Sequence, residues 1–155
     1  FTQRLMWEQA LASLAELPAC NLEVDLINCN AAISACSKGQ QWELAIGRLT
    51  MLQAGGLEPD VISSNAAISA CDKGQQWKRA ADMLQGMRAR DLEPDVISCN
   101  AAVAACARGE QWKEALGILM HWQARQMIPN LISFNTAIST CEKSEQWERA
   151  LRFLR

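Results

Sequence analysis

Residues 61–95 read VISSNAAISACDKGQQWKRAADMLQGMRARDLEPD, and the 35 residues before them, 26–60, read LINCNAAISACSKGQQWELAIGRLTMLQAGGLEPD. Twenty of the 35 aligned positions are identical, far more than a shared amphipathic pattern requires. The register continues outward in both directions: Asn30, Asn65, Asn100 and Asn135 fall on one position, and Trp7, Trp42, Trp77, Trp112 and Trp147 on another. Self-similarity at this period marks a stacked array of supersecondary units, each burying its apolar face against its neighbours. The chain divides into three complete units, 26–60, 61–95 and 96–130. They are preceded by the second helix and tail of another unit (1–25) and followed by most of a last one (131–155). Opening and closing in mid-unit, the sequence reads as a slice of a longer array.

Within a unit the apolar spacing predicts two helices, so the fold class is all-α, an α-solenoid of helix-turn-helix repeats. The first helix starts near a small polar residue suited to capping (Asn28, Ser63, Ser98, Ser133). It runs through Asn-Ala-Ala-Ile-Ser-Ala-Cys or a close variant, small residues that let helices approach, with Ile33, Ile68, Val103 and Ile138 as the larger contact. Gly39, Gly74 and Gly109 suit a left-handed helix cap, a pattern that Ser144 breaks. The second helix carries Trp-x-x-Ala-apolar-x-x-Leu, as in Trp42, Ala45, Ile46 and Leu49, one buried stripe. Proline then punctuates the chain in Leu57 to Asp60, Leu92 to Asp95 and Ile128 to Asn130, whereas Val24 stands at the corresponding place in the first unit. A tryptophan in every unit could stack on bases, but its register with Ala and Leu assigns it to packing.

Composition narrows the function classes. Fifteen Lys and Arg against 17 Asp and Glu give a net charge of −2, without the broad basic footprint of a duplex-DNA binder. Of seven cysteines, Cys36, Cys71, Cys106 and Cys141 recur once per unit inside the apolar stretch. With no C-x-x-C pair and a single histidine, His121, the expectation is buried structural thiols in a reducing compartment, with no metal and no cofactor. Apolar runs are too short for a membrane span. No acid, base or nucleophile cluster stands out from the repeat, so a non-catalytic binding module is expected.

The 35-residue hairpin, the Pro-Asp closure and the opening branched apolar residue followed by Ser-x-Asn resemble pentatricopeptide repeat proteins across essentially the whole chain. The tetratricopeptide repeat has a 34-residue period and a Trp-x-x-Leu-Gly-x-x-Tyr pattern; this chain has no tyrosine. The resemblance implies a right-handed superhelix whose first helices line a concave surface for single-stranded RNA, one nucleotide per repeat. It also implies a mitochondrial or plastid setting in RNA processing, stability, editing or translation. A helical scaffold for other proteins is the alternative.

In the family each base is read by the fifth and last residues of a unit. Carried over, the pairs are Asn30 with Asp60, Asn65 with Asp95, and Asn100 with Asn130, leaving Asp25 and Asn135 as half pairs. A carboxylate only accepts hydrogen bonds and suits the N3–H of uracil; an amide supplies a donor and suits the N3 lone pair of cytosine. The resemblance thus implies uracil, uracil, then cytosine over uracil, 5′ to 3′. It further assigns Ile27, Ile62, Ile97 and Ile132 to sandwiching the base. The always-basic Lys38, Lys73, Arg108 and Lys143 suit phosphates, the competing role being a cation at a helix C-terminus.

Overall fold

The computed structural model of the chain describes residues 22–125 and 130–145, and helical positions at 8, 9, 12, 148 and 152; the side chains of 22–25 are outside the description. Trp7, Trp147, Ile128 and Pro129 therefore also lie outside the described residues. Seven α-helices form from this part of the chain: α1 (Leu22–Lys38), α2 (Trp42–Ala54), α3 (Val61–Lys73), α4 (Trp77–Ala89), α5 (Val96–Arg108), α6 (Trp112–Ala124) and α7 (Leu131–Lys143). Odd helices pack on one another in sequence, α1 on α3, α3 on α5, α5 on α7, and each even helix lies between the two odd helices that flank it in the chain. The chain is an all-α helical repeat solenoid, with the odd helices as its continuous layer.

Adjacent residues on an odd helix face opposite neighbours. Ala67 and Ala70 of α3 complete a cluster with Ile33, Cys36, Ala45 and Leu49 of the preceding unit. Ile68 and Cys71, each one residue further on, belong to the next cluster with Ala80, Leu84, Met87, Ala102 and Ala105. The third repeats this with Val103, Cys106, Ala115, Leu119, Ala137 and Cys141, and adds a buried Trp122. The alanines let each helix approach the larger side chains behind it, and every core is therefore shared by two units. Burial of the thiols raises their pKa values, to about 11 for Cys71 and about 12 for Cys99 and Cys106.

Two local assignments from sequence are corrected. The serines are not the N-caps: Asp60, Asp95 and Asn130 are, in extended backbone, their side-chain oxygens accepting from the backbone N–H of Ser63 (2.7 Å), Ser98 (2.9 Å) and Ser133 (3.0 Å). A carboxylate or amide oxygen at the positive end of a helix out-competes a hydroxyl there, so each helix is capped three residues before its serine. Asn28 is no cap either, because α1 runs back to Leu22. With Val24 where the later units have proline, nothing stops α1 from extending, and it reaches 17 residues against 13 for α3 and α5.

The glycines do not supply the left-handed conformation. Gly74 and Gly109 have φ of −83°, and the following residues take the positive φ: Gln40 (58°), Gln75 (57°), Glu110 (56°) and Glu145 (55°). Glycine is needed for proximity instead. A Cβ at Gly74 would lie 2.2 Å from Cδ1 of Trp42, and one at Gly109 2.3 Å from Cδ1 of Trp77. Each half-buried indole thus seats on the glycine closing the next unit's first helix, which accounts for the recurrence of both residues.

Candidate nucleic-acid interface

Closure of each unit by a capping residue brings residues 30 positions apart into contact on the odd-helix face. Asn30 Nδ2 donates to both carboxylate oxygens of Asp60, at 3.3 and 3.1 Å. Asn65 Nδ2 does the same to Asp95, at 3.0 and 3.1 Å. Burial raises the pKa of Asp60, but hydrogen bonds from the Ser63 backbone, the Ser63 hydroxyl and Asn30 outweigh it and hold the carboxyl below its ordinary value. The carboxylate is thus ionised and anchored at neutral pH.

The two carboxylate oxygens do different work. Oδ1 of Asp60 and of Asp95 takes the N–H of the serine three residues on and lies within 2.8 and 2.9 Å of its hydroxyl oxygen, while Oδ2 accepts only from the asparagine amide. An ionised carboxylate oxygen has room for about two hydrogen bonds, so Oδ2 retains an open acceptor site. In the third unit Asn130 uses Oδ1 as the capping acceptor, which places its Nδ2 where the aspartates carry Oδ2. Two amide donors then face each other, and the amide bond from the fifth residue found in the first two units is absent between Asn100 and Asn130. The Asn100 Oδ1 instead accepts from the Ser133 hydroxyl.

Beside these pairs lies a row of large apolar side chains that the fold leaves open. Ile27, Ile62, Ile97 and Ile132 are 66, 66, 63 and 67% exposed, whereas Ile33 and Ile68, six residues further along their helices, are fully buried. Helical geometry puts residue 2 of each unit about one turn before residue 5, on the same side of the helix. Between α5 and α7 lies a groove of about 480 Å³ whose lining includes Ala104, Ala107, Arg108, Asn135, Ser139 and Lys143. Asn135 is exposed there; the side chain of Asp25 lies outside the described residues.

The basic row is less uniform than its spacing. Lys38 and Lys143 are exposed, but Lys73 Nζ donates to the Ser37 carbonyl at the end of α1, 3.2 Å away, realising the helix-terminus role across a helix interface. Arg108 Nε lies 3.0 Å from Asp72 Oδ1, a contact at ion-pair distance without hydrogen-bond alignment. Burial raises the pKa of Asp72, and Arg108 and Lys73 counter that rise. What sequence reasoning missed is a second role of the serine: Ser63, Ser98 and Ser133 are buried hydroxyls beside the caps, and Ser98 and Ser133 also link the cap to the preceding unit's asparagine amide. Their constant place two residues before each asparagine was the available signal.

The pentatricopeptide repeat domain profile matches residues 82–144. Among solved structures, the chain is similar to the maize pentatricopeptide repeat protein PPR10 in complex with an 18-nucleotide psaJ RNA element, at 25% identity and a TM-score of 0.76 over 96% of this chain and 22% of that one. It is also similar to the pentatricopeptide repeat domain of Arabidopsis thaliana protein-only RNase P 1 in complex with tRNA, at 13% identity and a TM-score of 0.72, covering 82% of this chain and 67% of that one. The chain thus spans about a fifth of the PPR10 chain. No curated protein sequence matches it. In its 35-residue helical hairpins, in the profile match over residues 82–144 and in its likeness to PPR10, the chain is similar to pentatricopeptide repeat proteins.

Proposed function

We propose that the odd-helix face binds single-stranded RNA, one nucleotide to each unit, in mitochondrial or plastid RNA metabolism. The observation that carries this reading is the contact between the fifth and last residues of a unit beside an isoleucine two-thirds exposed. A base inserted between successive isoleucines presents its edge to the pair. At Asp60 and Asp95 the open acceptor on Oδ2 meets the N3–H of uracil, directly or through water. At Asn130 the amide donor in that place meets the N3 lone pair of cytosine. Read 5′ to 3′ along the chain, the preference is uracil, uracil, then cytosine over uracil. Lys38 and Lys143 are the side chains best placed for phosphates, with Lys73 and Arg108 drawn in where their present partners release them. Likeness to two structures solved with RNA supports the reading.

At about 1–3 kcal/mol per stacked base, before ordering costs, three nucleotides give weak binding. The test is a competition at low salt between oligouridine and oligoadenosine single strands for the protein, with Asp60→Asn alongside the wild type. Preference for oligouridine, and a shift from uracil toward cytosine at one position in Asp60→Asn, are expected. No preference between the two strands, with retention of a protein partner instead, would sink the RNA reading.

A further inference from the structure

Resting on that reading, we infer that the buried serine at the third place of a unit is a positioning residue for base selection by the unit before it. It does this by fixing which end of the reading asparagine's amide is turned outward. In the second unit the Ser98 hydroxyl donates to Asn65 Oδ1, and the same amide's Nδ2 lies against Asp95. In the third, Ser133 holds Asn100 Oδ1 in the same way. An amide has one accepting and one donating end, and rotating it by half a turn exchanges them with almost no change of shape. In the second unit Ser98 and the Asp95 carboxylate hold the amide from its two ends. In the third, where Asn130 presents a donor, only Ser133 holds the Asn100 amide in that sense.

This matters because the outward end decides which base edge is accepted. With Nδ2 outward the amide donates to a pyrimidine carbonyl and opposes the amino group of adenine; with Oδ1 outward it accepts from that amino group. Ser98 and Ser133 are 0 and 1% exposed, so neither touches RNA. Their effect passes entirely through the asparagine.

The first unit supplies a contrast built into the chain. Its pair, Asn30 and Asp60, is identical to Asn65 and Asp95, yet the Ser63 hydroxyl donates to Asp60, to its carbonyl oxygen at 3.0 Å and its carboxylate at 2.8 Å. Asn30 Oδ1 is left buried without a hydrogen-bond partner. Ser63 and Ser98 therefore both serve the helix cap, and only Ser98 also holds the amide. Two units with the same reading pair should differ in how strictly they reject adenine.

The experiment measures competition by oligouridines carrying a single adenosine at each position in turn. The proteins are the wild type, Ser98→Ala, Ser63→Ala and Ser98→Thr, the last retaining the hydroxyl. Each result is a ratio of affinities, so the loss of cap stability common to both alanine variants cancels. Ser98→Ala is expected to lower the uracil-over-adenine ratio about tenfold at the nucleotide read by Asn65 and Asp95 and nowhere else, equivalent to about 1.4 kcal/mol. Ser63→Ala should leave every ratio as in the wild type, and Ser98→Thr should restore the ratio at the affected position. An unchanged ratio in Ser98→Ala, or an equal loss in Ser63→Ala, overturns the inference while the base-reading proposal stands. A wild-type protein with no uracil preference at any position removes that proposal itself.

Discussion

Gly74→Ala tests the link between the two most regular residues of the array. A Cβ at position 74 would stand 2.2 Å from Trp42 Cδ1, 2.6 Å from Cγ and 3.0 Å from Cβ. Carbon atoms settle at about 3.5–4.0 Å, so the indole must retreat by more than about 1 Å. It is not free to do so: it packs on the cluster containing Ile33, Cys36 and Ala67, and the Arg79 guanidinium lies over its ring, 5.0 Å from the centroid. Overpacking of this kind costs about 1–3 kcal/mol. With φ at −83° alanine itself is unstrained, and the stiffer unfolded chain returns about 0.4–1 kcal/mol. The net expectation is a loss of about 1–2 kcal/mol, or a Tm lower by about 2–8 °C for a chain of this size. Thermal unfolding followed by circular dichroism reads it, and Gly47→Ala is the control. A Cβ at Gly47, inside α2, meets nothing within 4 Å, so that variant should gain about 0.5–1 kcal/mol. Trp42→Leu combined with Gly74→Ala should lose less than the two single variants together, because the smaller side chain vacates the contested space. A Gly74→Ala protein as stable as wild type, or strictly additive losses in the double variant, would refute the seating of tryptophan on glycine.

Two further outcomes follow from the open face. Ile97→Ala should change stability by no more than about 0.5 kcal/mol, since the side chain is 63% exposed, yet weaken RNA binding about fivefold or more by removing apolar surface from the base; parallel denaturation and anisotropy titrations check both. Asp72→Ser, which installs what the preceding unit carries at that register in Ser37, should release Arg108 and steepen the salt dependence of RNA binding by about 0.7 in slope for one added phosphate contact; an unchanged slope would show that Arg108 does not reach the RNA.

The array and its helices were legible because period and apolar spacing are properties of the sequence itself: Ile33 and Ile68, Ala45 and Ala80 are buried where their registers predict. Less legible were contacts in which one residue type admits two explanations. Gly74 reads as a conformational device, and only the position of Trp42, from the preceding unit, shows that the constraint is space. Asp60 and Ser63 form a pair in which either can cap, and the distance from Asp60 Oδ1 to the Ser63 N–H decides it. Ile62 and Ile68 are the same residue on the same helix, one 66% exposed and one fully buried, and periodicity alone assigns the first no partner. The resemblance, not the pattern, singled out the exposed one. Charge register was the weakest guide, since the basic position gives Lys73 a carbonyl and Arg108 a carboxylate.

The capping result also bears on why the closing residue can vary at all. Asp and Asn cap helices about equally well, through one side-chain oxygen. Asp60, Asp95 and Asn130 all spend Oδ1 on the N–H three residues ahead, and the second terminal atom, an oxygen in the aspartates and a nitrogen in Asn130, takes no part in the cap. On the base-reading proposal that second atom is the one facing the nucleotide. Capping and recognition then draw on different atoms of a single side chain, and exchanging Asp for Asn alters the second while preserving the first. A residue that could read a base but not cap would cost the helix its start, and one that caps without a second polar atom, such as serine, would keep the fold and lose that contact. On the base-reading proposal, the closing position is confined to side chains with two polar termini, and within that set the choice is free to follow the RNA.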